Sequence, residues 1–446
     1  MDPVRALQHT LYRAAKADPG RRFHALWDKV LRGDVLWRAW VAVRGNNGAP
    51  GIDKTTLAAA GEYGVTRLLG ELAAGLAEGR YRPLPARRVH IPKPGAPAGE
   101  LRPLSIPAVR DRIVQAALKI VLEPVFEADF LPCSFGFRPR RPAHDALQVI
   151  IDEAWRGRRW VVETDIASCF EAIPEDKLMQ AVQERVCDQR VLKLLRAILR
   201  SGVMERGMVW HSVTGTPQGG VISPVMCNVY LHRLDRAWPV REHGALIRYA
   251  GDALVMCKSR EQAEAALARL RQLLAEPGLE PKEAKTRIVH LEEGGEGFDF
   301  PGFHHRMVRS RGCRGRRGVV FLARWPSDKA MQRARDRIRE LTRRSRLLVP
   351  AGQVAGDLNR FLRGWGGYFR YGHSAIRFDK ISNYAAERLA LFIGKRHKRG
   401  RGFGLSMVAY LSPDRCGLIS LNGTVIAPRA GKPWREKPNA GGERRR

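Results

Sequence analysis

Two short apolar segments that each meet an acid constrain this chain more than any other feature. Trp160–Ile166 (WVVETDI) reads as a mostly buried strand that ends in Asp165. Ala245–Cys257 is apolar on both sides of Gly251-Asp252, a dipeptide suited to a tight turn, so a hairpin is expected there. Acids at such rims are costly unless they are hydrated, paired or bound to a cation. Brought together on adjacent strands, the two carboxylates would suit Mg²⁺, which favours hard oxygen ligands and keeps waters and substrate phosphates. Two such ions align the attacking and leaving oxygens of phosphoryl transfer. Taken alone, acids at strand ends are more often simply solvated.

The rest of the pattern surrounds these strands with helices. Helical spacing recurs around Ala25–Val43 and across Leu57–Leu76, with the loop GNNGAPGID (45–53) between them. Val89–Ile91 and Leu101–Leu104 flank a Gly/Pro turn and predict a β-hairpin with Lys93 and Arg102 near its tip. Asp111–Phe126 and about 175–201 are helical. Ser259-x-x-Gln262 opens a helix as a capping box, its apolar positions 263, 266, 270, 273 and 274 share one face, and Pro277-Gly278 closes it. Strands are expected over 286–291 and 298–305, and the Arg/Gly run 306–317 marks a linker or exposed loop. Three basic helices follow at 328–347, 353–371 and 377–398, then a polar tail from 429 to 446. Strands alternating irregularly with helices indicate an α+β core followed by a mainly helical basic domain.

Charge separates the same two parts. The chain of 446 residues carries a formal +33, and residues 301–446 hold 34 basic against 9 acidic side chains, leaving only +8 for the first 300. A polyanion is the natural partner, because neutralising phosphates releases their counterions; a solubilising basic surface is the plainer alternative. No apolar run approaches the roughly 20 residues needed to cross a bilayer. The first residues lack the apolar segment of a secretory signal. Seven scattered cysteines without a CxxC pair point to reduced thiols, not to a disulfide framework or a zinc site, and so to a cytoplasmic protein without membrane partners.

An ordered series of motifs gives this pattern a family. NNGAPGID (46–53), RRVHIPKPG (87–95), RPLSIPAVRDRIVQ (102–115), CSFGFRPRRPAHDAL (133–147) and TDIASCFEAI (164–173) come first. TGTPQGGVISPVMCNVYLHRLD (214–235), RYAGDALVMCKS (248–259), PKEAKTRIVH (281–290) and GFDFPGFHHR (297–306) continue it, and LNRFLRGWGGYFRYG (358–372) and CGLISLNGTV (416–425) end it. Over nearly its full length the chain resembles the reverse transcriptase and maturase proteins encoded by group II introns. The resemblance implies a right-hand polymerase fold, with an N-terminal extension over 1–80, fingers and palm over 81–305, a helical thumb and maturase domain over 306–428 and a basic tail over 429–446. It implies Mg²⁺ in a two-metal site held by Asp165 and Asp252. It also implies intron RNA, an RNA template, a DNA primer or target and deoxynucleoside triphosphates as partners, and allows a homodimer. After residue 425 neither a His-Asn-His pattern nor paired cysteines remain, so the endonuclease domain of some relatives is not expected.

By the same resemblance Phe170 packs against the sugar of the incoming nucleotide and excludes a 2′-hydroxyl, the group that separates RNA from DNA. Lys93 and Arg102 clasp the triphosphate, one as a point charge and one as a bidentate fork. Gln218 contacts nucleotide and template from a Pro-Gln-Gly-Gly turn, and Lys285 gives a proton to departing pyrophosphate.

Two positions depart from the family pattern. Its catalytic hairpin carries two adjacent aspartates after Tyr-Ala, whereas Tyr249-Ala250 is followed here by Gly251-Asp252, so the first acid is missing. Glu163, two residues before Asp165, shares its strand face and is the nearest substitute. Pro301 replaces a usual aliphatic residue within the expected strand, where proline removes a backbone donor. Two functions follow: an RNA-directed DNA polymerase and maturase with weakened metal binding, or a non-catalytic RNA-binding splicing cofactor on a polymerase scaffold. Within 364–370, Trp365, Tyr368 and Phe369 at helical spacing read as core, and the surrounding arginines as the RNA contacts.

Overall fold

A computed structural model describes residues 2–92, 99, 101–166, 172–205, 208–210, 219–310, 318–410, 417–432 and 434. The chain divides into two compact units: 1–93 with 98–142 and 162–288, and 94–97 with 143–161 and 289–446. Helix and strand are mixed in the α+β manner that the motifs imply.

The first unit begins with the helix Pro3–Ala17, whose N-terminus is capped by Asp2 accepting from the Val4 and Arg5 amides. The expected helix around Ala25–Val43 is interrupted, forming Trp27–Val30 and Gly33–Gly45. Arg87 and Arg112 both donate to carbonyls of the loop between 45 and 53, at Pro50 and Ala49 respectively, so the N-terminal signature is fastened by two later motifs. Strands β1 (Ala86–Pro92) and β2 (Leu101–Ile106) form the expected antiparallel hairpin, with Ile91 opposite Arg102. They join β4 (Val203–Glu205) and β5 (Met208–Trp210) in a sheet of order β2-β1-β4-β5. The helix Val109–Glu127 is buried along most of its length.

The sheet that carries the acids has the order β6-β7-β3-β8, with β3 at Trp160–Asp165, β6 at Ala245–Tyr249, β7 at Asp252–Cys257 and β8 at Arg287–His290. The helix Arg260–Ala275 packs with Ala263, Ala266, Leu270, Leu273 and Leu274 buried, the face its spacing predicts. Ser259 caps it by accepting from the Gln262 amide, and the Gln262 side chain reaches back to the Lys258 amide.

In the second unit the structure corrects two expectations. Residues 298–305 are not one strand. Pro301 and Gly302 turn the chain between β9 (Phe298–Phe300) and β10 (Phe303–Arg309), with Phe300 paired to Phe303. Gly302 has φ +81°, so Pro-Gly occupies the two central positions that a type II turn favours. Pro301 thus supplies a turn instead of interrupting a strand. Nor is the stretch from 306 all linker: β10 continues to Arg309 and pairs with β11 (Val320–Pro326). Three amphipathic helices follow at Asp328–Leu341, Ala351–Phe369 and Ala375–Arg396, with a further helix, Arg401–Tyr410, that sequence spacing did not reveal. Phe369 packs against Phe303 and Trp365, and the Tyr368 hydroxyl donates to the Pro301 carbonyl (2.8 Å). The aromatic run therefore works as core.

Candidate active site

β7 lies beside β3, and the Ile166 amide donates to the Gly251 carbonyl (3.0 Å), so the end of β3 is tied to the hairpin turn. This brings Asp165 and Asp252 to the same rim. Asp165 is fixed from the other side as well: its carbonyl accepts from the Lys282 amide (2.7 Å), and its Oδ2 accepts from the Lys285 ammonium (2.6 Å). Lys285 belongs to the short turn Glu283–Lys285 that leads into β8, and Thr286 beside it bonds Thr164 of β3 (2.8 Å). Glu163, the possible substitute ligand, is held by Arg287 (2.8 Å).

Electrostatics mark this rim. Asp252 keeps an exposed surface at the start of β7, but protein surrounds it on its other sides. That partial desolvation, with the negative charges of Asp165 and Glu163 outweighing the pull of Lys285, pushes its carboxyl up to about 6. Burial works against the Lys285 charge, but its hydrogen bond to Asp165 and the nearby acids hold the ammonium above its ordinary value. A carboxylate whose ionisation is disfavoured in this way, as that of Asp252 is, gains from a hard cation beside it.

The hairpin turn itself departs from expectation. Tyr249 pairs with Asp252, so the turn residues are Ala250 and Gly251, and the left-handed one is Ala250 at φ +56°. Glycine's freedom is thus not what the turn exploits, and an alanine in this region costs about 1–2 kcal/mol. A buried guanidinium supports the strained residue. Arg248 is fully buried and grips Asp235 through two bonds (2.8 and 2.6 Å). It also donates to Ser134 Oγ (2.8 Å), Asn228 Oδ1 (3.1 Å) and the Ala250 carbonyl (3.1 Å). Asn228 and Asp235, seven residues apart, share one face of the helix Ser223–Ala237. Sequence reasoning passed over this network, although an arginine inside an apolar strand was its signal.

Of the other site residues, Arg102 is exposed on β2. Lys93, Phe170 and Gln218 lie outside the described residues. Next to Gln218, Gly219 has φ +114°, and a Cβ there would stand 2.3 Å from the Ser105 carbonyl oxygen. Only glycine lets this turn meet β2 so closely.

Asp165 and Asp252 could hold one divalent ion, which would take its further ligands from water and phosphate oxygens. Gly251 adds no side-chain oxygen, and among the described residues no group of three or more His, Cys, Asp or Glu is placed to hold a metal. The residues therefore fit the metal pair in part, with one carboxylate fewer.

Residues 91–310 match the family model for reverse transcriptase (RNA-dependent DNA polymerase), and residues 331–408 match the group II intron maturase-specific domain. The chain belongs to the group II intron reverse transcriptase and maturase family. It is 34% identical to protein YkfC of Escherichia coli (strain K12) over 370 residues, 73% of this chain and 93% of that protein. It is 33% identical to group II intron-encoded protein LtrA of Lactococcus lactis subsp. cremoris over 238 residues, 53% of this chain and 39% of LtrA. A 91 kDa protein in the cob intron of Schizosaccharomyces pombe is 28% identical over 408 residues, 74% of this chain and 50% of its own length. The chain thus spans most of YkfC but half or less of the other two. Among the described residues no helix is long and apolar enough to cross a membrane.

The maturase-domain match begins inside the helix Asp328–Leu341, which buries Ala330, Met331, Ala334, Ile338 and Leu341 and leaves Arg333, Arg337 and Arg339 on its exposed face. Arg343 and Arg344 follow, also exposed.

Proposed function

We propose that this chain is an RNA-directed DNA polymerase and maturase that binds its intron RNA, assists splicing and retrohoming, and transfers nucleotides slowly because Gly251 stands where the family has an acid. The observation that carries this reading is the meeting of Asp165, Asp252 and Lys285 at one sheet rim in a chain of this family. Asp165 and Asp252 would hold Mg²⁺, which when bound aligns and neutralises the oxygens of phosphoryl transfer. Lys285 would donate a proton to departing pyrophosphate, a role supported by its contact with Asp165. Arg102 and Lys93 would clasp the deoxynucleoside triphosphate, Phe170 would exclude a 2′-hydroxyl, and Gln218 would contact nucleotide and template.

The partition into an extension (1–80), fingers and palm (81–305), thumb and maturase domain (306–428) and tail (429–446) follows the same reading, as does action in the cytoplasm. Within 333–346, the exposed Arg333, Arg337, Arg339, Arg343 and Arg344 would grip intron phosphates. The test pairs two assays. Primer extension on an RNA template should be Mg²⁺-dependent and abolished by Asp165→Asn; extension that persists in that variant would refute the site. Binding to intron RNA should fall steeply with salt, and charge-neutral substitution across 333–346 should flatten the slope. An unchanged slope would exclude these residues as phosphate contacts.

A further inference from the structure

The first unit contains a concave site that the polymerase reading does not use. A cleft of about 380 Å³ lies between the turn after the helix Val65–Ala77 and the helix Gln189–Leu199. Its walls are apolar and aromatic: Trp27 and Tyr81, with Leu76 and Leu194. Arg82, Arg190 and Lys193 also line it and are exposed. The single acid of the lining, Glu78, is paired with Arg80, so the cleft presents uncompensated positive charge.

The walls are locked in place before any ligand arrives. Asp188 is nearly buried, and one of its oxygens accepts from the Leu26 and Trp27 amides (2.9 and 2.8 Å). Its other oxygen accepts from the Arg190 and Val191 amides (3.0 and 3.3 Å), capping the helix that carries Arg190, Lys193 and Leu194. One carboxylate thus fixes Trp27 against that helix. On the remaining wall, Tyr81 is nearly buried, its hydroxyl donating to Asp111 (2.6 Å) and its ring lying under the Arg110 guanidinium (5.4 Å), so the half-buried Trp27 is the aromatic surface left for stacking. Arg82 is pinned by bonds to the Gly79 and Tyr81 carbonyls (2.7 and 2.8 Å). Most small-ligand pockets are preformed, apolar and within this size range.

A ligand suited to this cleft is flat and largely apolar on its faces and carries negative charge at its edge. We infer that the cleft receives one unstacked nucleotide of the bound RNA, its base between the aromatic and leucine walls and its phosphate at Arg190 and Lys193. Single-stranded RNA is read this way elsewhere, by stacking bases on aromatic rings while cations follow the backbone. This inference rests on the proposed RNA-binding function and adds to it a base-accepting site remote in sequence from the arginines at 333–346.

The test uses the full chain with adenosine 5′-monophosphate and inorganic phosphate as probes, and then intron RNA. Ala197→Trp fills the cleft from its lining without changing charge, and Lys193→Gln alters only an exposed rim position. The nucleotide should bind at least tenfold more tightly than phosphate and should lose its binding in Ala197→Trp. In RNA titrations Ala197→Trp should weaken affinity severalfold with an unchanged salt slope, while Lys193→Gln should lower the slope by about one. Thermal unfolding of Ala197→Trp reports whether it folds; if it does not, the Lys193→Gln slope and the nucleotide-to-phosphate ratio decide. Equal binding of nucleotide and phosphate would overturn the inference, as would an acidic tyrosine-containing peptide that displaces the nucleotide at equal concentration. Nucleotide selectivity does not depend on intron binding, so loss of intron binding alone would refute the proposed function and not the cleft.

Discussion

Arg248 carries the most specific energetic prediction. Replacing it with methionine removes five hydrogen bonds and leaves the Asp235 carboxylate buried without a counter-charge. Breaking one side of such a pair costs about 3–5 kcal/mol, roughly three powers of ten in the folding equilibrium at the middle of that range. The double variant Arg248→Met/Asp235→Leu removes both charges and should recover at least about 2 kcal/mol, because buried ion pairs are often replaceable by well-packed apolar side chains. It should not restore the turn, since the Ala250 carbonyl still lacks its donor. Amide hydrogen exchange in β6 and β7 across the double-mutant cycle reads both effects, locally and without assuming that the two units unfold together. Single-variant effects that add within about 0.5 kcal/mol would refute the coupling. So would an Arg248→Met variant with unchanged protection in β6.

Further outcomes follow from the second unit. His305 is fully buried, and burial together with the charge of Arg324 pushes its imidazole down to about 3. Its folded pKa lies below its unfolded value near 6.5, so its contribution is intact above pH 6.5 and is lost as pH falls from there toward 3. Between pH 7 and pH 5 that loss should be about 2 kcal/mol, and His305→Phe, which keeps the stack on Phe298, should remove that part of the slope in acid unfolding. An identical pH slope in the variant would show that His305 titrates normally. Pro301→Leu restores the family's usual aliphatic type at a type II turn, and should therefore lower stability by about 0.4–1 kcal/mol. Thermal unfolding checks this, and a raised midpoint would mean that proline is a defect there after all.

The sequence was most legible where local signals agreed. Ser259, the apolar positions from 263 to 274 and Pro277-Gly278 each marked the same helix, and the structure buries those positions. The β1–β2 hairpin was equally clear, because a Gly/Pro turn separates two β-prone runs. Legibility failed where one residue had two readings. Pro301-Gly302 within an aromatic run was read as a disturbed strand, although Pro-Gly is itself a turn signal. β11 was missed because Arg324, fully buried, interrupts the apolar pattern of its strand. At the site, Asp165 and Asp252 were legible as strand-end acids, but their meeting depends on β3 lying beside β7, a pairing of residues about 90 apart that no local pattern encodes. The Arg248 network was hidden for the same reason: its partners come from the 133–137 segment and the helix Ser223–Ala237.

Under the proposed function this family member keeps its scaffold and RNA grip while Gly251 limits nucleotidyl transfer. Because Ala250, and not Gly251, takes the left-handed conformation, aspartate at 251 meets no φ penalty. Losing one preorganised group that stabilises the transition state typically costs about 10²–10³ in rate, about 3–4 kcal/mol. The decisive measurement is single-turnover primer extension on an RNA template with Mg²⁺, comparing the chain with Gly251→Asp at equal occupancy of template and primer. A gain of at least about a hundredfold is expected in the substituted chain, with intron RNA affinity unchanged. Equal extension rates in the two proteins would contradict it.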